Sequence, residues 1–228
     1  MPLIEFKNVT KKYDENLSAL EDVSLAIDRG EFVFLVGPSG AGKSTLVKIL
    51  TREEHPSEGD VFFDETNILE ILPEEIFKLR RKVGVVFQDF KLLPSKTAFE
   101  NVAVALEVLD SPQETIDDIV PNVLNMVGLL EKALKFPHQL SGGEKQRLSI
   151  ARALAHEPDV LIADEATGMI DPESSENVME ILERINDLGT TVIMATHDEG
   201  IVDKRKKRVV RLEKGKVKSD KKKGKYNG

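Results

Sequence analysis

Residues 31–50 read Glu-Phe-Val-Phe-Leu-Val-Gly-Pro-Ser-Gly-Ala-Gly-Lys-Ser-Thr-Leu-Val-Lys-Ile-Leu. The apolar run ending at Val36 has strand character and the run from Thr45 has helical character, with a glycine-rich turn between them. Glycines let the backbone curl so that successive N–H groups point inward at an anion, and the helix that follows adds the positive end of its dipole. Strand, turn and helix in this order, closing on Gly42-Lys43-Ser44, make a phosphate-binding loop. Lys43 is then placed to reach β- and γ-phosphates, and the Ser44 hydroxyl to bind Mg²⁺. The candidate nucleotide-binding run is Gly37, Pro38, Ser39, Gly40, Ala41, Gly42, Lys43, Ser44 and Thr45.

A loop of this kind needs a second arm for the metal. The apolar strand Val160–Ala163 ends in Asp164-Glu165, which puts two carboxylates at the carboxyl edge of a sheet, where ligands bind. Asp164 is expected to hold Mg²⁺, and Glu165 to orient and polarise an attacking water as general base. Further along the same reading, Val83–Phe87 and Thr191–Ala195 are continuous apolar strands of the type buried on both faces of a parallel sheet. Leu3–Val9, Val23–Ile27, Glu31–Val36 and Asp60–Phe63 read as further strands, the first ones forming an N-terminal layer with antiparallel pairs. Residues 99–134 read as a helical insertion broken at Asp110-Ser111-Pro112, with Pro121 near a helix start. Val209–Leu212 and Lys216–Lys218 around Gly215 form a closing hairpin. The ordering is α/β.

The chain has 228 residues, enough for one nucleotide-binding domain, and its longest apolar runs are too short to cross a bilayer. The absence of cysteine excludes disulfides, thiolate metal sites and a thiol nucleophile. No export signal precedes Ile4, so the cytoplasm is the expected compartment. The net charge of -8 is uneven: residues 204–228 carry 13 Lys or Arg against Glu213 and Asp220, a net of +11. From Lys214 the chain reads as a mobile basic arm, either a solvated charge run or a contact for an anionic partner, phospholipid or nucleic acid.

Leu140-Ser141-Gly142-Gly143-Glu144-Lys145-Gln146-Arg147 places a second phosphate-sized glycine turn at a helix start, with Ser141 as a plausible N-cap and Glu144 three residues on. With the phosphate loop upstream and Leu161-Ile162-Ala163-Asp164-Glu165 downstream, this octet resembles the ATP-binding cassette (ABC) family over roughly residues 3–218. The resemblance implies a P-loop NTPase fold: a RecA-like parallel-sheet core, an N-terminal antiparallel β subdomain and an inserted α-helical subdomain at about 89–157. One ATPase domain would then span 1–218, and 219–228 would be a disordered basic tail. It implies ATP and Mg²⁺ as ligands, and a homodimer in which Ser141, Gly142 and Gly143 of one copy meet the γ-phosphate held by Lys43 of the other.

By the same resemblance, Tyr13 stacks on adenine, and Gln88 senses Mg²⁺ and the attacking water. His197 contacts the γ-phosphate and orients the water against Glu165, and Asp171 lies in the loop that crosses the dimer interface. Ala166 stands where the family usually has proline, which removes a restraint on φ. Arg52-Glu53-Glu54 and Asp89-Phe90-Lys91-Leu92-Leu93 look most like the bacterial cell-division branch of the family. That branch implies an ATPase on the cytoplasmic face of the membrane, working through an integral partner of the FtsX type on cell-wall hydrolases. The motifs are shared with ATPases of lipoprotein-release and macrolide-efflux transporters. The basic tail also admits a soluble nucleic-acid-associated member, although nucleic acid is not the expected partner.

Overall fold

The computed structural model describes residues 1–14 and 17–227. Two sheets organise them. Strands β1 (Ile4–Asp14), β2 (Leu17–Ile27), β4 (Glu58–Phe63) and β5 (Thr66–Asn67) form an antiparallel sheet in the order β2-β1-β4-β5. The second sheet has the order β10-β9-β3-β8-β7-β6, built from β3 (Phe32–Val36), β6 (Val83–Val86), β7 (Val160–Asp164), β8 (Thr191–Thr196), β9 (Arg208–Glu213) and β10 (Lys216–Lys221). All its pairs are parallel except β9 with β10.

Strand β3 shows why this sheet is central. Every one of its side chains is buried, and they alternate between two cores. Phe32, Phe34 and Val36 pack toward the helices α3 (Ala98–Glu107), α4 (Gln113–Met126), α5 (Gly142–Leu154) and α6 (Pro172–Asp187). Val33 and Leu35 face the other way, onto α1 (Lys43–Leu50) and the antiparallel sheet. An apolar run without alternation is therefore what a strand between two cores requires. Registers Val36↔Thr196 and Asp164↔Ala195 bring the ends of β3, β7 and β8 to one edge.

Local differences from the sequence reading have physical causes. The first two strands are longer than the apolar pattern suggests, because bulges interrupt their pairing and Asn8 and Asp22 both take left-handed backbone. Residues 76–81 form a short helix, α2 (Ile76–Arg81), that carried no periodic signal. The break at 110–112 falls between α3 and α4, but Pro121 lies inside α4 and not near its start. Ile116, Val120 and Leu124 keep one buried face at helical spacing through that position, and their burial outweighs the hydrogen bond that proline removes.

The expected disordered tail is also corrected. Strand β10 runs to Lys221, and Tyr226 is only 8% exposed, packed into the helical-side core with the Arg211 guanidinium 6.0 Å from its ring centroid. The Tyr226 N–H donates to Asp203 (2.8 Å), and Asn227 bridges Glu199 and Arg211. One aromatic ring and a set of specific polar partners hold this lysine-rich segment down; its last residue, Gly228, lies outside the described residues.

Candidate functional site

The loop between β3 and α1 leaves the helix N-terminus open. Gly42 occupies the cap position with φ 105°, and among the described residues no side chain caps the free N–H groups of the first turn. Only glycine fits here, because a Cβ would meet the Ala19 carbonyl oxygen at 2.5 Å as well as strain the backbone. Uncapped amides aimed from a positive helix end are suited to an anion. Lys43, only 6% exposed, folds back so that its ammonium donates to the carbonyls of Gly37 (2.7 Å) and Pro38 (3.3 Å). Burial pushes its pKa down, against the opposing pull of Glu165 and Asp164. A phosphate would supply the charge that these carbonyls only partly replace.

Asp164 ends β7 beside this loop. Burial raises its pKa, a hydrogen bond with Ser44 works in the other direction, and the neighbouring Glu165 raises it further. Its Oδ1 is buried without a hydrogen-bond partner among the described residues. An orphaned carboxylate oxygen next to a serine hydroxyl and a lysine ammonium fits a divalent cation that accompanies phosphate. Glu165 takes left-handed backbone, φ 52°, with its N–H bonded to the Ala195 carbonyl (2.9 Å). That turn directs its carboxylate to His197, whose Nδ1 lies 3.2 Å from Oε1. Ala166, the next residue in the chain, is buried, and the Gly168 N–H closes the turn on the Glu165 carbonyl (3.0 Å). Gln88, after β6, lies against that turn: its Nε2 is 3.0 Å from where a Gly168 Cβ would stand.

Tyr13, Ser39, Gly40, Ala41, Gly42, Lys43, Ser44, Thr45 and Glu165 line one cleft of about 310 Å³, together with Ser18 and Ala19 of β2. Tyr13 is 46% exposed, with the Lys11 ammonium 5.0 Å from its ring centroid. Ser18 and Ala19 escaped the sequence reading, since a serine-alanine pair in a strand carries no spacing signal. Ser141, Gly142, Gly143 and Asp171 do not line this cleft. Ser141 caps α5 in a reciprocal pair: its hydroxyl accepts from the Glu144 N–H (3.3 Å) and its N–H donates to the Glu144 carboxylate (2.9 Å). Lys132 also bonds Glu144 and holds its carboxyl below the usual range. Gly143 packs so tightly on α6 that a Cβ would collide with Ser174. Asp171 caps α6 by accepting from the Ser174 N–H (2.9 Å), and a hydrogen bond with the Ser174 side chain, followed by this one, lowers its pKa.

A family profile described as ABC transporter matches residues 20–168, a stretch containing the loop, Gln88, the serine-glycine turn and Asp164-Glu165. The chain is 52% identical over 224 residues to the cell division ATP-binding protein FtsE of Bacillus subtilis (strain 168), covering 98% of each chain. It is 49% identical over 225 residues to the FtsE of Mycobacterium tuberculosis, again covering 98% of each. Among solved structures, the dimeric ATP-binding cassette MJ0796 bound to ADP and Pi in a post-hydrolysis state superposes with a TM-score of 0.85 at 37% identity, covering 99% of each chain. Site geometry, profile and full-length relatives agree: this chain belongs to the ABC transporter family, as an ATPase of the ABC cassette fold.

Proposed function

We propose that the chain hydrolyses ATP and couples the cycle to a membrane partner in bacterial cell division. The observation that carries the hydrolytic part is the convergence of Lys43, the Ser44–Asp164 pair and the Glu165–His197 pair on one sheet edge. The open α1 terminus and residues 37–45 grip the phosphates, Lys43 exchanges its carbonyl partners for β- and γ-oxygens, and Tyr13 stacks on adenine. Ser44, Asp164 and Gln88 would hold Mg²⁺, which when bound neutralises charge developing on the phosphates. Glu165 accepts the proton of the attacking water at its carboxylate, and His197 orients that carboxylate and the water.

Ser141, Gly142 and Gly143 act from a second copy. The Ser141 hydroxyl already accepts from Glu144, so its own proton remains available to donate to a γ-phosphate oxygen. Asp171, beside the same face, links the two copies. Residues 1–218 work as one ATPase unit, with 89–157 as the part that moves. The dimeric post-hydrolysis structure of MJ0796 bound to ADP and Pi supports a dimeric, hydrolytic cycle.

Identity of about half over nearly full length to FtsE proteins supports the cell-division role. The chain would sit on the cytoplasmic face of the membrane against an FtsX-type partner and activate cell-wall hydrolases through it. A groove of about 470 Å³ between α2 and α3 suits such a partner, with Phe77 57% and Val108 77% exposed. Lysines of β10 and the following turn would face anionic lipid.

Glu165→Gln tests the hydrolytic reading: turnover should fall by at least about a hundredfold while ATP still binds and a dimer accumulates in size-exclusion chromatography. Turnover at the wild-type rate would remove Glu165 as base. Co-purification of a four-span partner with a large external domain from solubilised membranes tests the cell-division role.

A further inference from the structure

Just beyond Gln88, Phe90 and Lys91 both hold left-handed backbone, with φ 61° and 48°. Outside a two-residue hairpin turn such as Asp64-Glu65, consecutive non-glycine residues in this conformation need partners that hold them. Here the determinant is Arg152 of α5, whose guanidinium donates to the Phe90 carbonyl (3.0 Å) and the Lys91 carbonyl (2.6 Å). Arg152 is partly buried, its pKa is lowered by burial, and no carboxylate among the described residues pairs with it. Its partners are the two carbonyls of the strained turn, which a planar fork can hold together and a point charge cannot.

The far side of the same loop is held by α3. The buried Asn101 side chain accepts from the Leu93 N–H (2.8 Å) and donates to the carbonyls of Leu93 (3.1 Å) and Lys96 (2.9 Å). The loop carrying Gln88 is thus pinned to two helices, and one of them, α5, is capped by Ser141. Arg152 lies eleven positions beyond Ser141 along this helix, a rigid lever of about 16 Å.

We propose that Arg152 is a positioning residue for ATP turnover: by gripping the Phe90 and Lys91 carbonyls it sets the pose of Gln88 and ties it to the helix that presents Ser141. This role rests on Gln88 acting at the site as proposed above. Arg152 also lines the groove that contains Phe77 and Val108, so a partner segment seated there touches the grip directly.

The test compares Arg152→Lys and Arg152→Ala in the full chain by ATP turnover and by amide hydrogen exchange. Both variants should lower kcat about tenfold with KM for ATP changed less than about twofold, since the phosphate loop is untouched. Exchange at 89–93 should accelerate by at least about tenfold while the α1 amides keep their protection. Wild-type kcat and loop protection in Arg152→Lys would overturn the proposal, because charge alone would then suffice. Loss of protection throughout both variants would also overturn it, in favour of a general folding role. Gln88→Ala, measured alongside, separates the two layers. If it leaves turnover unchanged, the role of Gln88 fails, whereas exchange at 89–93 reads the grip of Arg152 independently.

Discussion

The N-termini of α1 and α5 both carry glycine, Gly42 at the cap of one and Gly142-Gly143 in the first turn of the other, yet one is open and the other closed. At α1 the cap is Gly42, no side chain among the described residues answers the first amides, and the Lys43 ammonium donates to carbonyls of its own loop. At α5, Ser141 and Glu144 satisfy each other's amides, and Lys132 neutralises the carboxylate. An open terminus beside an orphaned Asp164 oxygen is prepared for a ligand within the same chain. A self-satisfied terminus outside the cleft holds its shape until something is brought to it.

The largest effect that would sharpen this contrast is expected of Lys43→Ala. Isothermal titration should show ATP affinity falling by more than about a hundredfold, some 3 kcal/mol, and a loss below threefold would break the assignment of the open terminus. Gly143→Ala comes next, because its Cβ must displace Ser174 and with it the closed terminus. Turnover should fall about tenfold while ATP affinity of the dilute monomer stays within about twofold. Equal loss of both would mean that the two termini are not separate devices.

The smallest effect concerns Asp164. Its carboxyl is raised by burial, so its proton is held more tightly in the folded chain than in the unfolded one. Such a group adds stability below the unfolded value, and that contribution is lost as pH rises through the raised folded value. Asp164→Asn should therefore stabilise the ligand-free protein at neutral pH by on the order of 1 kcal/mol, raising Tm by about 2–4 °C. The gain should vanish below about pH 4, and Mg²⁺ with ATP should no longer protect the variant as it protects the wild type. A neutral-pH Tm unchanged or lowered in calorimetry would contradict the burial of an unpaired oxygen.

Much of the open terminus was legible from residues 31–50, because β3 lies between two cores and glycines are required by backbone geometry. Strands β7 and β8 were legible for the same reason, and they carry Asp164 and lead to His197. The Lys43 fold-back was not, since carbonyl partners within a loop leave no trace in residue type. Pro121 was misplaced because a local rule about proline lost to the buried stripe of Ile116, Val120 and Leu124. The tail was misjudged because charge dominates its composition, whereas its position is decided by Tyr226 and a few polar bonds. Arg152 offered one usable signal: a cation set between Ile150-Ala151 and Ala153, on a helix whose neighbours there are buried.

The alternation of β3 has a consequence for how this gene can change length. Insertion or deletion of one codon within residues 32–36 would send Phe32 and Phe34 toward α1 and Val33 and Leu35 toward the helices, spoiling both cores at once and displacing Gly37 from the sheet edge. The turn at Asp64-Glu65, already left-handed and facing solvent, has no such double duty. A library of single-codon indels should be blank across the former and populated at the latter.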